Sequence, residues 1–163
     1  MLTAQLLRSD KSISDPNFYH SVLLICENNH EGAWGVVINK RSIRVFNELV
    51  EFQHCIPFPL YIGGPMENEK LFFVHSRPDL IPEGQQIHVN LYWGGDFKKT
   101  VELIQSKQLN ENDVRFYLGY CGWDTDELEE EIKEGSWHPC PFQYDAIFTS
   151  NEKSLWQELS ENR

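Results

Sequence analysis

Four cysteines, six histidines and twenty-five carboxylates are the groups with which this chain could do chemistry. Cys26, Cys55, Cys121 and Cys140 include no pair three residues apart, so no C-x-x-C redox or zinc pair exists. Cys121 has the most suggestive setting. It lies in Tyr120, Cys121, Gly122, Trp123, which reads as a strand-to-helix turn. A thiol just ahead of a helix N-terminus can have a lowered pKa and act as a nucleophile. It would need a base, and His75 and His88 are the histidines carried on strands. The plainer reading is a buried thiol beside an aromatic core, and the sequence leaves the role of Cys121 open. Among the histidines at 20, 30, 54, 75, 88 and 138, only His54 with Cys55 and His138 with Cys140 lie close to a cysteine. Neither spacing is that of a zinc ligand pair, so neither metal nor cofactor is expected.

Glycines mark the other candidate positions. Gly63 and Gly64, Gly94 and Gly95, and Gly119 and Gly122 all read as strand ends. If those ends shared one rim, exposed N–H groups and helix N-termini could hold an anion. None of these stretches is G-x-G-x-x-G or G-x-x-x-x-G-K-[ST], so there is no nucleotide fingerprint, and turn geometry explains them equally well. G-x-S-x-G and H-E-x-x-H are absent too, which leaves an enzyme unsupported. The candidate ligand- or partner-binding residues are Asn39, Gly63, Gly64, His75, Asp96, Tyr120, Gly122 and Trp123. Lys40, Arg41 and Arg44 form the one basic cluster. The acids between Asp124 and Glu134 follow a helix surface, either a solvated face or an acidic docking surface.

These residues need elements to position them. Ser21–Glu27 and Ala33–Asn39 are nearly continuous apolar runs joined by a polar loop, the pattern of a hairpin covered on both faces. Arg44 to Glu51 carries Val45/Leu49 and Phe46/Val50 at helical spacing. Leu60–Ile62 and Leu71–His75 read as strands. Gln86 to Trp93 alternates, with Ile87, Val89, Leu91 and Trp93 on one face. Asp96 is placed to cap a helix carrying Phe97, Val101 and Ile104. Val114–Tyr120 reads as a strand, followed by an acidic helix capped by Asp124 with Glu127 and closed by Gly135. Trp137–Pro141 reads as irregular, Asp145–Thr149 as a last strand, and a terminal helix starts near Asn151. Strands outnumber helices without alternating with them, which predicts one α+β domain over residues 1–163 with a mainly antiparallel sheet.

Composition narrows the function classes. Leu, Ile, Val and Phe number 46 of 163, enough for one real core. The formal net charge is −11, and all of it falls in residues 51–163, where nine basic face twenty acidic side chains. A field of that sign repels phosphate and argues against direct nucleic-acid binding and against anionic membranes. No apolar run approaches the roughly twenty residues of a membrane span, and no signal segment opens the chain, so a cytoplasmic protein is expected.

Several patches, in order, resemble the YqgE/AlgH family of bacterial proteins from about Leu2 to Leu159. Asp15, Pro16 and Phe18 with Ser21 to Leu24 resemble its first segment, and Gly32, Ala33 with Gly35 to Asn39 its G-A-x-G-L-V-x-N stretch. Gly63, Gly64, Pro65 and the strand ending in His75 resemble its G-G-P and L-H; Gly94, Gly95, Asp96 match its G-G-D. Leu118, Gly119, Tyr120, then Gly122, Trp123, Leu128, Glu129, Glu131, Ile132 and Trp137 resemble its most specific block. The chain departs from the family where Asp124 to Glu127 replace G-P-G-Q, where Lys40 and Arg41 follow Asn39, and where Cys121 replaces a common Ala. The last departure argues against a family-wide cysteine nucleophile. The resemblance implies a compact α+β domain on a large, bent or bifurcated sheet with flanking helices. It implies no established activity, and some members carry a transcriptional-regulator label. Three readings follow: a non-enzymatic regulatory or protein-interaction module, with a rim of Asn39, Gly64, Asp96 and Trp123 as its surface; a small-ligand-binding protein or unrecognised enzyme; and a transcriptional regulator. The oligomeric state is not legible.

Overall fold

Strand β9 (Val114–Asp124) organises the molecule, because three other strands pair with it. The computed structural model describes residues 3–148 and 152–161. In chain order the other strands are β1 (Gln5–Ser9), β2 (Val22–Asn29), β3 (Gly32–Val37), β4 (Arg41–Val45), β5 (Pro59–Ile62), β6 (Met66–His75), β7 (Gln85–His88), β8 (Leu91–Trp93) and β10 (Trp137–Cys140). The helices are α1 (Phe97–Gln105), α2 (Glu127–Lys133), α3 (Asp145–Phe148) and α4 (Leu155–Glu161). Among the described residues the sheet runs β10-β1-β2-β3-β9-β6-β8-β7 and curls into a half-barrel. Its two arms approach where the Ala4 N–H donates to the Ile87 carbonyl at 2.9 Å.

The sheet forks at β9. The antiparallel β3 takes its last residues, Cys121 to Asp124, while the parallel β5 takes Phe116 to Leu118, and among the described residues β4 pairs with β5 alone. The two branches touch where the Val37 N–H donates to the Gly63 carbonyl at 2.8 Å. The chain then crosses β9 through Gly64 to reach β6, which pairs antiparallel with β9. Gly119 permits that crossing. Its φ is +76°, and a Cβ there would lie 2.3 Å from the Gly64 carbonyl oxygen. It also resets the side-chain parity of β9. Before it Phe116 and Leu118 face one outer layer and Tyr117 faces the inside of the curl; after it Tyr120 faces inside while Cys121 and Trp123 face out.

Three packed layers result. Inside the curl, Leu24, Val36 and Tyr117 meet Phe148 of α3 and Trp156 of α4. Outside, Phe46 and Phe116 pack with Leu103 of α1, and Leu23, Trp123 and Trp137 pack with Leu128 of α2. Two indole N–H groups, from Trp123 and Trp137, donate to the same Glu131 oxygen at 3.1 Å each, tying α2 to the sheet.

The α+β class, the β2–β3 hairpin and the Asp96 cap agree with the sequence; Asp96 Oδ1 accepts the Lys99 N–H at 3.0 Å. Other elements differ. Arg44 to Glu51 is the end of β4 followed by two 3-10 turns, Phe46–Glu48 and Val50–Phe52, not one helix. Gln86 to Trp93 folds back at Val89 and Asn90 into the β7–β8 hairpin, leaving Val89 exposed. Gly119 to Trp123 is strand throughout and α2 begins only at Glu127, so Cys121 does not stand at a helix N-terminus. Helix α2 is entered from Asp126 in the left-handed region, without a side-chain cap. Gln5–Ser9 is a strand that the apolar pattern did not reveal. Trp137 to Cys140 is an edge strand that tolerates Pro139 because, among the described residues, only β1 lies beside it. Asp145–Phe148 is helical, not extended. Thr149 and Asn151, where the sequence placed a strand end and a helix start, lie outside the described residues.

Candidate functional site

An open groove of about 710 Å³ lies where the ends of β2, β3 and β9 meet β6 and β8. Its aromatic walls are Trp34, Phe72, Trp93 and Tyr120, and Trp123 borders it along β9 with its ring turned toward α2; its acidic lining is Glu27, Glu31, Glu67, Asp124 and Glu127. Among the described residues no lysine, arginine or histidine lines it.

The local structure explains each wall. Trp34 of β3 stands opposite Gly122 of β9, which has no side chain to fill the space between the strands' inner faces. The Tyr120 ring lies over Gly122, within 3.3 Å of where a Cβ would stand. Trp34 meets Trp93 edge-on, with centroids 4.8 Å apart and planes at 85°. Phe72 meets Tyr120 at 5.3 Å and 66°. Such edge-to-face contacts fix ring orientation as well as burying area. Glu27 is held in place: Oε2 accepts the Trp34 indole N–H at 3.0 Å and Oε1 accepts the Gln85 amide at 3.1 Å. Both donors are neutral groups and bring no compensating charge. Lys70 pairs with Glu67 at 2.8 Å. Glu27, Asp124 and Glu127 have no cationic partner among the described residues.

Three of the eight residues singled out from the sequence, Tyr120, Gly122 and Trp123, line this groove; the other five do not. Asn39 is a staple: Oδ1 accepts the Val22 N–H and Nδ2 donates to the His20 carbonyl, both at 2.9 Å. Gly63 and Gly64 form the crossing over β9, and Asp96 caps α1. His75 is fully buried. Its Nδ1 accepts the Arg77 N–H at 3.1 Å, so Nε2 carries the proton and donates to the Gly94 carbonyl at 3.1 Å. Burial lowers its pKa to about 4. The glycine turns therefore do not share one rim. Gly63, Gly64 and Gly119 meet at the crossing, whereas Gly95 packs against Pro82 and Gly84.

Cys121 faces the layer under α2 with 2% exposure, its thiol pushed up to about 12 by burial and 3.5 Å from the Gly63 carbonyl. That is the state of a core thiol and not of a nucleophile. Among the described residues no three metal-ligating side chains cluster. Lys40 spends its ammonium on the Pro16 and Asn17 carbonyls, at 2.8 and 3.1 Å. No helix of the described residues is long and apolar enough to cross a membrane.

Residues 6–162 match the AlgH-like family. The chain belongs to that family. A UPF0301 protein of Cytophaga hutchinsonii is 37% identical over 162 residues, covering 98% of this chain and 88% of that one. One from Chlorobaculum parvum is 35% identical over 153 residues, covering 93% and 81%. The fold is shared with the solution structure of the AlgH protein from Pseudomonas aeruginosa, at TM-score 0.77 and 24% identity, covering 98% of this chain and 89% of that one. It is also shared with protein DIP2367 of Corynebacterium diphtheriae, at TM-score 0.80 and 20% identity, covering 100% and 87%. In this AlgH-like chain the blocks that carried the resemblance are mostly devices of the fold: the G-G-P crossing, its partner Gly119, and the Asp96 cap. Sequence reasoning missed Trp34, Phe72, Trp93 and Glu27. Trp34 and Glu27 face each other in the hairpin register, a pairing readable only once that register is known.

Proposed function

We propose that this chain is a non-enzymatic interaction module that docks a protein partner in the groove between β3, β9 and β6. The observation that carries this reading is the groove's lining: aromatic walls under a rim of carboxylates. Interface cores are enriched in such aromatic residues, and an open groove of this size suits a segment of a partner. Of the groups that could have made a nucleophile and base, Cys121 serves the fold as a core thiol and His75 as a neutral buried bridge, and His88 stacks on Phe142 with ring centroids 3.8 Å apart. The formal charge of −11 speaks against the regulator reading in its DNA-contacting form.

The test is site-directed photocrosslinking in lysate of the protein's own host. A benzophenone side chain replacing the exposed Met66, at the groove, should give a discrete adduct. The same group replacing the exposed Lys99, on α1, should not. Equal adduct patterns from both positions, or none from position 66, would refute docking at the groove. A binding-induced rise in melting temperature with a small metabolite, lost when Gly122 is enlarged to Leu, would favour the ligand-binding reading instead.

A further inference from the structure

The lining of the groove specifies the chemistry of what it binds. We propose that it takes an extended, arginine-bearing segment of a partner protein; this rests on the docking function above and names its occupant. Two features meet there. The first is charge against ring. Aromatic faces attract a cation, and a guanidinium does so with the least loss of hydration. At Trp34 the ring and a carboxylate are joined directly, since its indole N–H is bonded to Glu27 at 3.0 Å. Asp124 and Glu127 stand exposed on the same groove, and neither has a cationic partner among the described residues. A planar cation between the rings could fork onto such a carboxylate while it stacks, which a lysine ammonium does less well.

The second feature is a free strand edge. Strand β6 pairs with β9 only as far as the Met66–Tyr120 pair. Beyond it, Cys121 to Asp124 have a strand neighbour on the β3 side alone among the described residues. Glu67, next along the chain from Met66, has φ +43°, where β6 leaves the ladder before rejoining it at Leu71. An open edge is a template for an added strand, and alternate side chains of that strand would point toward the rings. A free small cation would use the rings and not the edge. The groove therefore fits a peptide better than a metabolite.

The experiment is a titration of the full-length, nitrogen-15-labelled protein at low salt with an octapeptide bearing one central arginine between β-branched residues. Counterparts carry lysine, citrulline or glutamate at the same place, and free arginine and spermidine complete the set. The arginine peptide should move the Trp34 and Trp93 indole signals and the amides of residues 121–124. It should bind at least about tenfold tighter than the citrulline peptide, the ratio expected for one desolvated cation–π contact with a carboxylate. The exposed double variant D124K/E127K should lose at least about tenfold in affinity with its melting temperature kept, since both are surface positions. Equal binding of arginine and citrulline peptides would overturn the cation preference. Free arginine or spermidine binding as tightly as the peptide would overturn the extended segment. If the glutamate peptide alone moved the groove signals, the inference would fall while docking at the groove stood. If no peptide moved them, both would fall.

Discussion

Single side chains here do structural work that their types do not announce. His75 was a candidate base and is a neutral bridge between Arg77 and Gly94. Its pKa falls from the ordinary 6.5 to about 4 on folding, so the unfolded chain takes up the proton first. Its contribution is intact above pH 6.5 and declines as pH falls from there to about 4. The loss by the lower end is at most about 3 kcal/mol. Urea denaturation across that range should show this slope in the wild type and a flatter one in His75→Gln. Asp10 acts in a lower window: hydrogen bonds from Ser12 and then from His138 hold its carboxyl well below the usual range. Its stabilisation is present above about pH 4 and lost as pH falls further. Glu131 makes a second residue-scale case. Glu131→Ala strands two indole N–H groups on buried Trp123 and Trp137 and should cost about 2 kcal/mol or more, whereas Glu131→Gln keeps an acceptor and should cost less than about 1. Equal costs for the two variants in chemical denaturation would show that the double acceptance contributes nothing. Neither role was legible from residue type, because each depends on partners brought from elsewhere in the fold.

At the scale of elements, patterns that reside in contiguous residues were readable and those set by a neighbour were not. The β2–β3 hairpin and the capped α1 carry their own signals, an apolar run on each side of a polar turn and an acid before a helical stripe. Strand β10 carries a proline and little alternation; it is a strand because β1 offers it an edge. The eight residues from Gln86 to Trp93 alternate as one strand would, yet the chain turns back on itself into a hairpin, with Val89 63% exposed at its turn. Gly119 shows the same dependence. A glycine between Leu118 and Tyr120 reads as a turn; in the fold it sits under the crossing chain and shifts the parity of β9 so that Tyr120 joins Trp34 in the groove. Its replacement is therefore costly twice. Gly119→Ala meets the left-handed penalty and a contact of 2.3 Å to backbone, and should cost more than about 3 kcal/mol or prevent folding. Gly94→Ala, at φ +68° with nothing within 4 Å of its Cβ, should cost only about 1–2 kcal/mol. Comparable melting temperatures for the two variants would contradict the crossing as the reason for Gly119.

For the molecule as a whole, the forked sheet makes a claim about cooperativity. One arm, β10-β1-β2-β3, and the other, β6-β8-β7, have β9 in common, and β5 pairs with it as well. The inner core also draws on both arms, Leu6 and Leu24 from one, Val74 and Leu91 from the other, closed by Phe148 and Trp156. Neither arm can leave without exposing apolar area belonging to the other, at roughly 25 cal/mol for each Å². The arms should therefore unfold together. Tryptophan fluorescence weights the first arm, with Trp34 and Trp137, and α4, with Trp156, over the other arm, which holds Trp93 alone; Trp123 is on the shared β9, and far-UV circular dichroism weights all strands and helices. The two probes should give the same urea midpoint and slope, as a two-state transition requires. In a folded variant weakened at the fork, such as Gly63→Ala, whose Cβ would stand 2.4 Å from the Gly119 carbonyl oxygen, both midpoints should fall together. A fluorescence midpoint that moves while the dichroism midpoint stays would mean that each arm is stable without the other. The shared strand would then be a junction between two folding units and not the axis of one.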